Sequence, residues 1–295
     1  AQTGVKKLFS DPNFNGRLKA SGAYPSSAHS INFGRLAPQI VYYVYSYAVL
    51  LANGRIKKGE PVNICVPTGN FGNILAAYYA YRMGIPVYKF ICASNKNNVL
   101  TDFFDCGKYM INREFFKTIS PSMDILISSN LERLLFEYYD RKTQKIKDAM
   151  KSLSEIGAYS VDDSVMDNIR LKFYADFCEE PMIRDAIKRT YESYGYVMDT
   201  HTAVAQQVYE KYKKNTGDTT VTLLAATASP YKFAPEVYRS ITGKYISDAF
   251  CACDELSKLS GTPVPQSILE LKDKPVLHNM TLNKDELEKA VYKML

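Results

Sequence analysis

The chain has 295 residues, 46% hydrophobic and 23% charged, with 15 Gly and 13 Pro. That composition excludes collagen-like and low-complexity classes and suits one large or two ordinary globular domains, whose core needs no disulfide or metal staple. The net charge is +6, and the first 60 residues carry the whole excess, with eight Lys and Arg against two acids; no basic stripe interleaves with aromatics, so nucleic acid is not an expected partner.

In chain order, residues 1–30 are polar and turn-rich. A helix is predicted from Ile31 to Asn53, with Pro38 as a kink or early-turn position. Its apolar part, Ile40–Ala52, has 13 residues, short of the roughly 20 that span a bilayer. Val41, Val44, Ala48 and Leu51 recur at helical spacing and predict its core-facing side. Val62–Val66 is a strand, followed by Gly69-Asn70-Phe71-Gly72 and a helix over Asn73–Met83. A second strand, Val87–Ala93, leads to a helix over Val99–Cys106. This alternation predicts an α/β fold with an open, mostly parallel sheet and crossover helices on both faces. Helices follow over Ser129–Tyr139, Lys142–Ile156, Asp162–Leu171, Glu179–Tyr194 and Thr202–Lys213, with Ser129 and Asp162 as caps. Val221–Ala226 is a buried-strand candidate, running through Thr227-Ala228-Ser229-Pro230 into a helix over Tyr231–Thr242; an amphipathic helix over Asn283–Leu295 ends the chain. The division expected is 1–59, an N-terminal segment and helix, and 60–295, a large α/β domain.

Thr68-Gly69-Asn70-Phe71-Gly72-Asn73 lies between a strand and a helix, where free N–H groups and the helix dipole make a phosphate cradle. It is neither a dinucleotide fingerprint nor a Walker loop, and an ordinary turn would also use such glycines. Thr227 and Ser229 end the third strand and could direct hydroxyls into the same crevice, although Ser229-Pro230 also suits a helix start. Asn32 and Arg35 lie one turn apart and suit an anion, the bland alternative being a Ser30-capped helix with a solvated Arg35. Asp199-Thr200-His201-Thr202 suits a helix N-terminus with Thr200 or His201 near the cap. The three histidines and the lone Cys251-x-Cys253 have no zinc spacing, so no metal is expected. Cys65 and Cys92 read as buried thiols, and the unpatterned cysteines point to a reducing, cytoplasmic compartment.

In order along the chain, Ser30-Ile31-Asn32 with Arg35, Val66-Pro67-Thr68-Gly69-Asn70-Phe71-Gly72, Leu100 with Phe103, Ser120-Pro121-Ser122-Met123-Asp124-Ile125, Ser129-Asn130 with Glu132-Arg133, His201-Thr202-Ala203-Val204 and Thr227-Ala228-Ser229-Pro230 with Lys232-Phe233 resemble threonine synthase, a pyridoxal-phosphate enzyme of fold type II. The resemblance implies conversion of O-phospho-L-homoserine and water to L-threonine and phosphate. It implies that Gly69, Asn70, Phe71, Gly72 and Asn73 hold the cofactor phosphate and that Thr227 faces the pyridine nitrogen. Ser30, Asn32 and Arg35 become substrate-side candidates. The family often has aspartate where Asn73 stands, and histidine where Ser229 stands. Its Schiff-base lysine follows a phenylalanine in an N-terminal domain, and the pairs Lys147-Asp148, Lys272-Asp273 and Lys284-Asp285 do not fit that pattern. The resemblance therefore implies an incomplete fold-type-II large domain that lacks the N-terminal domain, has no catalytic residue of its own and is inactive alone. A non-catalytic phosphate-binding remnant and a serine or threonine dehydratase are the alternatives; the latter usually carries a more glycine-rich loop.

Overall fold

The computed structural model describes residues 2–26, 29–277, 279–283 and 286–294, so His278 and the Lys284-Asp285 pair lie outside the described residues. Four parallel strands form the sheet: β1 (Val62–Pro67), β2 (Val87–Ser94), and, further along the chain, a strand over Phe173–Phe177 and one over Thr222–Leu224. A short antiparallel pair, β3 (Lys108–Met110) and β4 (Ala158–Ser160), intervenes, so the later sheet strands are β5 and β6. The sheet order is β5-β2-β1-β6.

Strand alternation explains the layers. Ile64, Val66, Phe90 and Cys92 point to one face, where the helices Ile40–Ala52, Gly72–Arg82, Val99–Cys106, Leu131–Tyr138 and Asp163–Lys172 cover them. Cys65, Ile91 and Ala93 point to the other, under Glu180–Tyr194, Thr200–Thr216, Ala234–Thr242 and Ala249–Ser260. Both faces being covered, β1 is buried along its whole length, as a central parallel strand requires. β6 is only half-buried, because it is the sheet edge; the expected buried strand over Val221–Ala226 shortens to Thr222–Leu224.

Four expectations change. The single helix over Ile31–Asn53 is three pieces: Phe33–Leu36, a 3-10 turn Ala37–Gln39, and Ile40–Ala52. Pro38 sits in the 3-10 turn, where its missing N–H breaks no α-helical bond. The buried side of Ile40–Ala52 is Tyr43 and Tyr47, whereas Val41 is 62% and Val44 39% exposed. The tyrosines win because their hydroxyls find partners inside, Tyr43 on Asn73 Oδ1 and Tyr47 on the Glu60 carbonyl at 3.0 Å. Neither Ser129 nor Asp162 caps with its side chain: Asn130 precedes the Leu131 helix at φ 78, and the Asp162 carboxylate instead accepts from Lys145 Nζ at 2.9 Å. The strands β3, β4 and β5 and the helix Ala249–Ser260 are additional to the sequence-based elements. In that helix Cys251 is exposed while Cys253 is buried, its thiol 3.3 Å from the Tyr231 carbonyl.

The chain turns from β1 to β2 on one side, while β6 returns to pair with β1 on the other. The carboxyl ends of β1 and β6 therefore flank a topological switch point, where open α/β sheets hold ligands.

Candidate functional site

At the end of β1, Thr68 is buried, its N–H on the Ala93 carbonyl at 2.7 Å and its hydroxyl on the Val66 carbonyl at 2.8 Å. The loop that follows is held by the segment before the Leu131 helix. Ser128 Oγ donates to the Gly69 carbonyl at 2.6 Å, and Ser129 Oγ to Asn70 Oδ1 at 2.8 Å. Phe71 donates its N–H to the Ser129 carbonyl at 2.8 Å. Its ring is fully buried, with centroids 6.2 Å from Phe104 and 6.1 Å from Phe173. Phe71 thus anchors the loop to the core, and its N–H is already committed; this corrects the expectation that all five loop residues offer N–H groups to a phosphate.

Both glycines answer to tight packing. A Cβ on Gly69 would lie 2.9 Å from Met123 Cα and 3.0 Å from the Ser122 carbonyl oxygen. One on Gly72 would lie 2.5 Å from Ser30 Oγ. Ser30 is itself fixed there, accepting from Asn130 Nδ2 at 3.0 Å, with Arg133 donating to the carbonyls of Ser30 and Ile31 at 3.0 and 2.7 Å.

The strip beside Gly69 is braced from below. Asn95 Nδ2 donates to Asp124 Oδ1 at 2.8 Å and to Ser120 Oγ at 3.0 Å; Asn97 Nδ2 reaches the same carboxylate at 3.0 Å. The Ser122 N–H donates to His201 Nε2 at 3.2 Å, while His201 Nδ1 lies 3.1 Å from Asp199 Oδ1. Nε2 therefore accepts and Nδ1 carries the proton, fixing the neutral tautomer. Burial raises the Asp199 carboxyl, but hydrogen bonds from His201 and Thr202 outweigh it and hold the group below the usual carboxylate range. Asp199 is the N-cap of Thr200–Thr216, so Thr200 and His201 stand next to the cap as the sequence suggested. The His201 motif thus supports the loop from within the core.

Gly72–Arg82 begins where the loop ends, and Gly72, Asn73 and Ile74 in its first turn have no carbonyl four residues back within the helix. Asn73 faces a cavity of about 610 Å³ whose lining includes Arg35, Tyr43, Ser46, Ala226 and Thr227. Asn73, Thr227 and Arg35, three of the sequence-predicted residues, are thereby brought together. Gly69, Asn70, Phe71 and Gly72 form the loop behind Asn73 and do not line the cavity. Ser30 packs under Gly72, and Asn32 caps Phe33–Leu36, its Oδ1 accepting from the Gly34 N–H at 3.0 Å; neither lines the cavity. Ser229 serves as the N-cap of Pro230–Phe233. Tyr43, which the sequence reading passed over, reaches Asn73; the signal was two tyrosines at i, i+4, Tyr43 and Tyr47, with polar tips and apolar bodies. Among the described residues no three His, Cys, Asp or Glu side chains cluster as metal ligands, and no helix is long and apolar enough to cross a membrane.

No protein-family model matches the chain. It is 43% identical over 249 residues to Threonine synthase-like 1 of Homo sapiens, covering 84% of this chain and 33% of that protein. It is 33% identical over 291 residues to Threonine synthase of Saccharomyces cerevisiae, covering 93% of this chain and 55% of that protein. The crystal structure of PLP-bound threonine synthase from Brucella melitensis superposes with a TM-score of 0.70 at 32% identity, over 92% of this chain and 56% of that one. The chain thus spans from a third to just over half of the length of these relatives. In sequence and in fold the chain is therefore a homologue of the threonine synthases over that part of their length.

Proposed function

We propose that this chain forms the cofactor-phosphate and ring-nitrogen side of a pyridoxal-phosphate site that converts O-phospho-L-homoserine and water to L-threonine and phosphate. The observation that carries this reading is the meeting of Asn73 and Thr227 across one cavity at the β1/β6 switch point. The residues fit the group. The first turn of Gly72–Arg82 offers N–H groups and a positive dipole end to a phosphate, and the bare Gly69 and Gly72 let the loop lie flat against its supports. Pyridoxal phosphate, when bound, supplies an electron sink for eliminating phosphate and adding water.

The chain's own residues bind and orient. Asn73 and the first-turn amides take the phosphate end. Thr227 presents a hydroxyl to the ring nitrogen; being neutral, it gives that nitrogen no counter-ion and so no reason to hold a proton. Arg35, on the same cavity, provides a cation toward an anionic substrate. Ser30 packs against Gly72 behind the cavity, and Asn32 caps the Phe33–Leu36 helix that carries Arg35. None of the Lys-Asp pairs of this chain follows a phenylalanine, so we propose that the Schiff-base lysine expected from the resemblance is not among these residues and that they alone form no threonine. The same absence of a phenylalanine-lysine-aspartate motif favours a second reading, cofactor binding without conversion.

Two assays test this. Equilibrium titration of the purified chain with pyridoxal phosphate should give saturable binding, and no binding overturns the proposal. Threonine and phosphate release from O-phospho-L-homoserine, measured on the native polypeptide that contains this sequence, decides between the two readings: turnover supports the first and its absence the second.

A further inference from the structure

Asn73 has Tyr43 as its side-chain partner. Tyr43 comes from Ile40–Ala52, the helix forming the opposite wall of the cavity. Its ring is 4% exposed, and its hydroxyl donates to Asn73 Oδ1. An amide has one acceptor oxygen and one donor nitrogen. With the oxygen engaged by Tyr43, the two Nδ2 hydrogens are left for the cavity. Were residue 73 an aspartate, Tyr43 would engage one carboxylate oxygen and the other would turn toward the ligand, carrying negative charge.

We propose that Tyr43 is a positioning residue that fixes the Asn73 amide with its Nδ2 donors toward the cavity, so that this side chain adds a hydrogen-bond donor to the first-turn N–H groups that receive the cofactor phosphate. The inference rests on the cofactor reading above. Burial keeps the Tyr43 hydroxyl protonated far above the usual tyrosine range, so it remains a donor throughout the working pH range. Because a tyrosine one helix away sets the amide, the loop and the Ile40–Ala52 helix are coupled through this single bond.

The test uses the full chain, pyridoxal phosphate as ligand, and two readouts. In the first, the side-chain amide resonances of 15N-labelled Asn73 should shift when pyridoxal phosphate is added to the parent. They should also move in unliganded Tyr43→Phe, where the amide is released. In the second, Tyr43→Phe should weaken pyridoxal phosphate about 3- to 10-fold, the effect of one lost hydrogen bond. Asn73→Asp should weaken it more than about tenfold, by loss of a donor and gain of like charge. It should do so with melting close to the parent, since residue 73 is partly exposed. Tyr43→Phe binding as tightly as the parent, or an Asn73 amide resonance unmoved by the ligand, overturns this inference alone. A parent chain that does not bind pyridoxal phosphate overturns both the inference and the reading beneath it.

Discussion

Gly69→Ala probes the loop most sharply, because what a methyl group would meet there is backbone. Its Cβ would lie 2.9 Å from Met123 Cα, 3.0 Å from the Ser122 carbonyl oxygen and 3.5 Å from the Met123 carbonyl carbon. Ordinary carbon contacts sit at about 3.5–4.0 Å, so the Ser122-Met123 backbone would have to retreat by about 0.6–1 Å. Ser122 is pinned by His201, and the strip below is pinned through Asp124 by Asn95 and Asn97, so the retreat strains several buried hydrogen bonds. Overpacking of this kind costs about 1–3 kcal/mol. At about 2–4 °C per kcal/mol, melting should fall by about 2–12 °C. Affinity for pyridoxal phosphate should fall with it, as the displaced loop shifts the start of the Gly72 helix. Gly16→Ala is the control: nothing lies within 4 Å of its Cβ and it sits inside the helix Pro12–Ala20, so alanine there should be neutral or stabilising by up to about 1 kcal/mol. A Gly69→Ala chain that melts with the parent and binds the ligand equally would refute the account of the loop.

Other expectations are simpler to state. Phe71→Ala removes a fully buried ring between Phe104 and Phe173 and should destabilise by about 3–5 kcal/mol in urea unfolding. Thr227→Val, in the exposed segment after β6, should leave melting unchanged and weaken pyridoxal phosphate by about 3- to 10-fold in direct titration. Burial raises the Asp218 carboxyl, but hydrogen bonds from Thr220, Tyr212 and Asn63 outweigh it and hold the group at about 2. Since its folded value lies below the unfolded one, the stability it adds is complete above the ordinary carboxylate value and is lost as pH falls from about 4 toward 2. In melting measured against pH, Asp218→Asn should flatten that acid limb by about 1 kcal/mol, a figure discounted for solvent screening.

How much of this was legible in the sequence depends on the range of the interaction. The β1–turn–helix–β2 unit was plain because its signals are local: an apolar run, glycines at the turn and a helical period that ends at Gly84. The switch point followed, since parallel strands with crossovers leave few topologies. What stayed hidden was set by partners distant in the chain. Hydropathy chose the valine side of Ile40–Ala52, whereas the tyrosine side is buried because Asn73 and the Glu60 carbonyl accept its hydroxyls. Phe173–Phe177 shows no strand alternation, yet it pairs with β2 over five residues and stacks Phe173 on Phe90 with centroids 4.9 Å apart. Ser30 read as a helix cap or a substrate-side residue and His201 as a residue near a helix cap; in the structure both are supports, one beneath Gly72 and one behind the strip that touches Gly69.

The central claim is that a phosphate-bearing cofactor sits between the start of the Gly72 helix and Thr227. Backbone amide shifts mapped during titration of the 15N-labelled chain with pyridoxal phosphate test it most directly. The largest changes should fall on Gly72, Asn73, Ile74 and Thr227, with the Phe71 amide, tied to Ser129, little moved. Saturable binding whose shifts cluster away from these residues, or the absence of any saturable shift, would contradict it.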